Sequence, residues 1–333
     1  MNNTRWLLTW LLAAVITVGG WLAFEIYWRG QGYAPTVMDS LDLWSLHRSR
    51  ATKSAPPLRV ALLGASRIQY GLSPSVFRDE ARGTDAIMLA VNGHYPLAAL
   101  RDLANDEKFV GVVVVGIDAR GMDKKFVWEM QAKHVHYYHH DFSPAREAHR
   151  RLLSRLQEHV IAARPDFAAI TLGKRTLDNQ GPPYREYVTF ERDRSGGTDY
   201  RKSDLVAIRT ARVADLRKYY PLYTPPAPEV WLAEMREVVR WVEKINVRGG
   251  KVAIYREPES GEHLELDEAN FPRAKYWDKL TDIMPAAMID FRDYPELNID
   301  TPDTSHIDIK DIDRHTRALV RVLKAKLVLP ANP

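Results

Sequence analysis

Hydrophobic positions along this chain fall into runs of different lengths, and the lengths predict different elements. The longest lies near the amino terminus. From Trp6 to Trp28 there is no basic residue, and the only acid is Glu25. About 20 such residues in a helix cross the apolar layer of a bilayer. Trp6, Trp10, Tyr27 and Trp28 stand towards the two ends of the run, where an aromatic belt would lie. A cleaved signal peptide is the alternative. The run is long for that, and no small-x-small site followed by a polar start is present. An uncleaved anchor over residues 1–29 is therefore expected. Arg5 precedes the run and Arg29, Arg48 and Arg50 follow it, so the charge bias does not decide orientation.

The remaining apolar runs are short. Residues 30–57 have mixed character and end in Ser54-Ala-Pro-Pro57, which predicts a linker. Beyond it, Val60–Gly64, Ala86–Val91, Val110–Ile117, Lys251–Tyr255 and Ala287–Phe291 are continuously apolar rather than alternating. Continuous apolarity predicts parallel strands covered on both faces. Between them the spacing predicts helices over Pro74–Arg82 with Ser73 as N-cap, Pro96–Ala104, Pro228–Val247 stopping at Gly249-Gly250, Phe271–Met284 and Ile309–Leu327. Strand–helix alternation predicts a three-layer α/β sheet domain over residues 58–330. Residues 120–225 break the rhythm with aromatics, charges and turn residues. They are expected to form a long insertion over the carboxyl ends of the strands, where ligands bind in such sheets.

Composition narrows the chemistry. The chain has 333 residues, no cysteine and a net charge of +4. It therefore has no disulfide, no thiolate metal site and no cysteine nucleophile. Basic and acidic residues are interspersed, which argues against nucleic acid as a partner.

Two positions suggest nucleophilic catalysis. Ser66 follows the first predicted strand, in Leu58-Arg-Val-Ala-Leu-Leu-Gly-Ala-Ser66. A serine at a strand-to-helix turn can aim its oxygen into a crevice, with backbone N–H groups nearby for an oxyanion. Asp303 and His306 stand three apart in Pro302-Asp303-Thr304-Ser305-His306, before the last predicted helix. Histidine can take a serine proton while a carboxylate orients the ring. The simpler alternatives are a capping serine and a helix-capping Asp. Asn92-Gly93, after the second strand, is a candidate oxyanion donor and equally a turn signal. Arg67, beside the serine, could contact an anionic substrate or be solvated; Asp118, ending the third strand, could contact substrate or act as an N-cap or turn acid; Arg256, ending the strand at 251–255, could bind an anionic polymer or form a surface ion pair. Arg273 has the same pair of readings. His134, His136, His139 and His140, with Asp141, could ligate zinc, but they lack the His-Glu-x-x-His pattern. A substrate-lining lip is the favoured reading, so no metal and no cofactor are expected.

With these residues in hand, the chain resembles the SGNH (GDSL-like) hydrolase and acyltransferase superfamily. The resemblance rests on Gly64-Ala65-Ser66-Arg67, Asn92-Gly93 and Asp303-Thr304-Ser305-His306, and spans residues 58–325 outside the insertion. It is nearest to the membrane-anchored branch that modifies bacterial cell-envelope polymers. The resemblance implies a flavodoxin-like sheet, a periplasmic domain on an inner-membrane anchor, Ser66 as nucleophile, His306 as base and Asp303 as its orienter. Ser66, Asn92 and Gly93 would form the oxyanion hole. It also implies acyl, and for this branch acetyl, transfer to or from a polysaccharide, with a multi-span membrane acyltransferase as a candidate donor. A carbohydrate esterase or a non-catalytic glycan- or synthase-binding protein is the alternative. Two departures stand out: Gly-Ala-Ser replaces the family's Gly-Asp-Ser, and a clear Gly-x-Asn-Asp block is missing.

Overall fold

The computed structural model describes residues 3–53, 56–183 and 187–330. Ser54 and Ala55, within the expected linker turn, lie outside the described residues. Helix α1 (Asn3–Gly30) contains the apolar run and is long and apolar enough to cross a membrane. Its Thr4–Gly30 stretch packs hardly any of its length against the folded domain.

Residues expected to form only a linker instead contain helix α2 (Leu41–Ala51), capped by the Ser40 hydroxyl, which accepts from Leu43 N–H. The reason is its buried face. Trp44 is fully buried and donates its indole N–H to Leu89 O at 3.0 Å. Arg48, also fully buried, pairs with Asp102 at 2.6 Å and Asp106 at 2.9 Å. This helix is part of the domain.

Strand β1 (Leu58–Leu63) leads into the short helices α3 (Ser66–Gly71) and α4 (Pro74–Glu80). Ser73 caps α4 as expected, accepting from Val76 N–H. Next come β2 (Thr84–Met88), α5 (Leu97–Asn105) and β3 (Val112–Gly116). The insertion then holds α6 (Lys124–Val127), α7 (Ala132–His140), α8 (Pro144–His159) and α9 (Ala169–Leu177). It continues with the small antiparallel pair β4 (Val188–Phe190) and β5 (Gly196–Thr198), then α10 (Leu205–Tyr219). Helix α11 (Pro228–Val247) and β6 (Lys251–Arg256) resume the alternation. Within the span Phe271–Met284, expected to be one helix, only a short helix forms, and another helix precedes that span. Gly261, at φ +56°, opens α12 (Gly261–Asn270), and α13 (Trp277–Thr281) follows. Strand β7 (Ala287–Asp290) and α14 (Ile312–Ala325) complete the domain.

The five long-range strands form one parallel sheet in the order β2-β1-β3-β6-β7. Side chains alternate across each strand. Ala61, Leu63, Val113, Val115 and Ile254 join Trp44, Leu100, Trp231 and Val238 on one face. Val60, Leu62, Val114, Ala253 and Tyr255 join Phe77, Leu319 and Leu323 on the other. This makes three layers, and explains why the strands carry continuous rather than alternating apolar stretches. The strand order reverses direction between β1 and β3, so the crevice at their carboxyl ends is open to ligands. Ser66 stands there.

Candidate active site

Ser66 owes its place to tight packing beneath it. Gly64 directly follows β1 and Gly116 ends β3, and a Cβ at either would run into the Ile68 side chain. Ile68, fully buried, thus pulls α3 down onto the sheet and puts Ser66 at its first turn, half-buried. The far end of α3 is tied as well. His315 donates from Nδ1 to Gly71 O at 2.8 Å, which leaves its Nε2 to accept from the Tyr255 hydroxyl at 2.7 Å.

The partner loop comes from the other end of the domain. Asp303 is fully buried, and its Oδ1 accepts the N–H groups of Ser305 (2.9 Å) and His306 (2.7 Å). That tight turn requires Thr304 at φ +76°, a strained position for a residue with a Cβ. Asp303 Oδ2 lies 2.9 Å from His306 Nδ1. A carboxylate only accepts, so Nδ1 carries the proton and Nε2 presents its lone pair. Nε2 is 2.8 Å from Ser66 Oγ. The serine oxygen, imidazole and carboxylate therefore form one continuous hydrogen-bonded chain at the carboxyl edge of the sheet.

The electrostatics suit a neutral ring. Burial lowers the His306 pKa below the usual imidazole value, and the nearby Arg212 and Arg67 guanidinium groups lower it further, against the opposing pull of Asp303. Burial works against charge on Asp303. Its bond to His306 and the field of Arg212 outweigh that and hold it well below the usual carboxylate range. At neutral pH the pair is imidazole and carboxylate.

Arg212 carried no signal in the sequence. It sits on α10 of the insertion, 3.1 Å from Asp303 Oδ2 and 3.4 Å from His306 Nδ1. It also lines a cleft of about 460 Å³ with Arg120, Tyr187, Tyr219 and Tyr220. Tyr70 was equally silent; its ring centre lies 5.5 Å from that of His306 and 5.7 Å from that of Phe190.

Asn92 and Gly93 occupy the exposed tip of a turn closed by the Val91–His94 bridge, with Gly93 at φ +72°. The Asn92 N–H already donates to Gln69 Oε1 at 2.8 Å. Gln69 is itself bound to Asp39, which pairs with the fully buried Arg194. The Asn92 side chain fronts a separate cavity of about 580 Å³ shared with His94, His134 and Phe190.

Arg67, Asp118 and Arg256, for which contact with substrate is one of the two readings, are engaged with neighbouring side chains and backbone. All three are withdrawn into an internal charge network. Arg67 lies 2.8 Å from Glu259 Oε2, 3.2 Å from His263 Nε2 and 3.5 Å from Asp118, and donates to Ser305 Oγ at 3.2 Å. Asp118 accepts Gly121 N–H at 2.6 Å. Arg256 pairs with Glu259 at 2.6 Å and Glu268 at 3.0 Å. Burial raises the Glu257 pKa to about 8 despite Arg67, and raises Asp267 well above the carboxylate range, helped by Glu259 and Asp118. Acids outnumber nearby cations, so some stay protonated. Arg273 pairs with Asp278 at 2.9 Å and Asp293 at 2.7 Å.

The histidine stretch forms α7. His139 pairs with Asp102 at 2.6 Å, and His136 lies 3.9 Å from Asp141. Among the described residues, the group that could hold a metal ion is instead Glu259, His263 and Asp267, whose ligand atoms lie within 4.8 Å of one another. The Arg67 guanidinium already stands beside two of the three, where a cation would be held.

Comparisons with protein-family models, with curated proteins and with solved structures found no match to this chain. The functional reading therefore stands on the site.

Proposed function

We propose that this protein is an acyltransferase or esterase of SGNH type, working through an acyl-serine on a flavodoxin-like sheet. The observation that carries the reading is the chain Ser66 Oγ–His306 Nε2, His306 Nδ1–Asp303 Oδ2, at 2.8 and 2.9 Å. His306 takes the Ser66 proton as the oxygen attacks an ester or thioester carbonyl. The tetrahedral oxyanion meets the Ser66 N–H, which the first turn of α3 leaves without a helical partner. As the carbonyl re-forms, the bond to the donor alcohol or thiol breaks and His306 returns the proton to it. A sugar hydroxyl or water, deprotonated by the same nitrogen, then attacks the acyl-serine and releases Ser66.

The tyrosine-lined cleft beside Arg212 is the proposed seat of a saccharide acceptor, since sugar rings stack on aromatic faces. Helix α1 is the proposed inner-membrane anchor, with the domain in the periplasm beside a polymer being exported and a membrane-bound acyl donor. The exposed Asn92, its N–H already engaged by Gln69, favours the second reading: a glycan-binding protein that keeps the fold without turnover. Ser66→Ala and His306→Ala variants, expressed in cells lacking the native copy, separate the two. Loss of polymer acylation in both, with normal protein levels, supports catalysis. Full acylation in both leaves the binding protein.

A further inference from the structure

The chain does not leave α1 as a free tether. Over the last two turns of α1 the segment 159–183 is clamped against it. Glu25 Oε1 accepts Ala162 N–H at 2.9 Å, and Arg29 donates to His159 O at 2.7 Å. Just beyond the helix, the Tyr33 hydroxyl donates to Pro183 O at 2.6 Å. Phe167 packs edge-on against Trp28 and Tyr33, with ring centres 5.0 and 5.1 Å apart, and Ile161 is buried beside them.

Helix α9 is carried on this clamped segment, and the core does not account for it: none of its residues is buried. Leu172 and Arg175 turn towards the anchor and line a cleft of about 320 Å³ with Tyr27 and Trp28. The other side presents Ile170, Lys174 and Leu177, spaced four and three apart on one stripe. Ile170 is 77% exposed and Leu177 84% exposed. An apolar stripe with a cation, held level with the tryptophan and tyrosine at the exit of an apolar helix, matches a helix lying in the headgroup layer.

We propose that α9 is a second membrane contact: a helix lying in the lipid leaflet at the exit of α1, with Ile170 and Leu177 in the acyl boundary and Lys174 among anionic headgroups. This rests on reading α1 as a membrane span. The occupant of the stripe is then the bilayer itself, because α9 shares the cleft of Tyr27 and Trp28 and the segment holding it cannot swing away without breaking the clamp. One consequence is a fixed orientation of the domain over the membrane.

The chain lacks cysteine, so single labels are unambiguous. Full-length Ala13→Cys, Ile170→Cys, Leu177→Cys and Val247→Cys variants would each carry an environment-sensitive fluorophore, in nanodiscs of phosphatidylcholine and phosphatidylglycerol. Nitroxide lipids then quench from shallow or deep positions. The expected result is deep quenching at Ala13, shallow quenching at 170 and 177 about twofold or more above that at 247, and little at 247, an exposed apolar site on α11. Deep quenching at Ala13 with 170 and 177 no different from 247 overturns the α9 contact and leaves the anchor intact. It would point to a protein partner for the stripe. If Ala13 escapes the deep nitroxide, the anchor reading falls, and the α9 contact with it.

Discussion

Ser66 and Arg67 are adjacent, yet they belong to two buried polar clusters that behave in opposite ways. Ser66 joins a chain of carboxylate, oriented ring and half-buried hydroxyl that runs in one direction from Asp303 to the serine oxygen. Arg67 joins a branched network with Glu259, Asp118, His263 and Ser305, in which the charges face one another. The first cluster leaves one reactive oxygen uncommitted. The second leaves little for a ligand. Perturbed titration alone does not separate them, because structural ion-pair networks shift pKa values as readily as active sites do. The direction of the hydrogen bonds does. The two clusters also meet, since Arg67 donates to Ser305 beside His306, so the second holds the loop of the first.

The comparison can be broken by removing one group from each side. Ser66→Ala and His306→Ala are each expected to lower turnover of p-nitrophenyl acetate by about a thousandfold or more, and Ser66→Ala to leave thermal unfolding unchanged. A structural role for either would instead lower the melting temperature and spare the turnover per folded molecule. Arg67→Met should do the reverse. It strands buried acids, which costs about 3 kcal/mol of stability in chemical denaturation, while turnover per folded molecule stays within about tenfold of wild type.

Finer changes sharpen the boundary between the clusters. Burial, and after it the Arg212 guanidinium, holds the His306 pKa down. In the wild type, the acid limb of kcat/KM, where His306 gains a proton, is therefore expected below the pH of an ordinary imidazole. Arg212→Gln removes a cation, raises the imidazole pKa and moves that acid limb to higher pH, with turnover at pH 8 within about tenfold of wild type. A mutant profile superimposable on the wild type would show that Arg212 does not act on the ring. Glu257, whose pKa is raised to about 8 by burial, tests the second cluster through pH alone. Between its unfolded value near 4.5 and 8, the folded state binds more protons, so stability falls as pH rises. Glu257→Gln should match wild type near pH 4 and exceed it at pH 9 by up to about 4 kcal/mol in chemical denaturation. Equal stability at both pH values would mean that the acid is not held protonated.

These clusters were unequally legible in the sequence. Parallel strands buried on both faces carry continuous apolar stretches, so all five could be placed within a few residues. Asp303 and His306 lie in one tight turn, and local spacing reports such contacts. Ser66 was marked by following the first strand. The Arg67 network was not legible, because Glu259, His263 and Asp118 meet it through the fold rather than through any spacing. Arg67 itself was read as facing solvent or substrate. Arg212 is one basic residue among several on a helix with no buried face, and nothing local marks it. Helix α2 was lost in a segment of mixed polarity because its buried arginine reads as a surface residue until Asp102 and Asp106 are seen beside it. Asn92-Gly93 was legible as a turn, and it forms one.

The central claim is that Ser66 carries an acyl group. The most direct test treats the full-length protein and its Ser66→Ala variant with p-nitrophenyl acetate, then measures intact mass and maps any adduct by peptide. The account expects one acetyl group on wild type, located on Ser66, and none on the variant. An equal adduct on both folded proteins, or none on wild type, would contradict it.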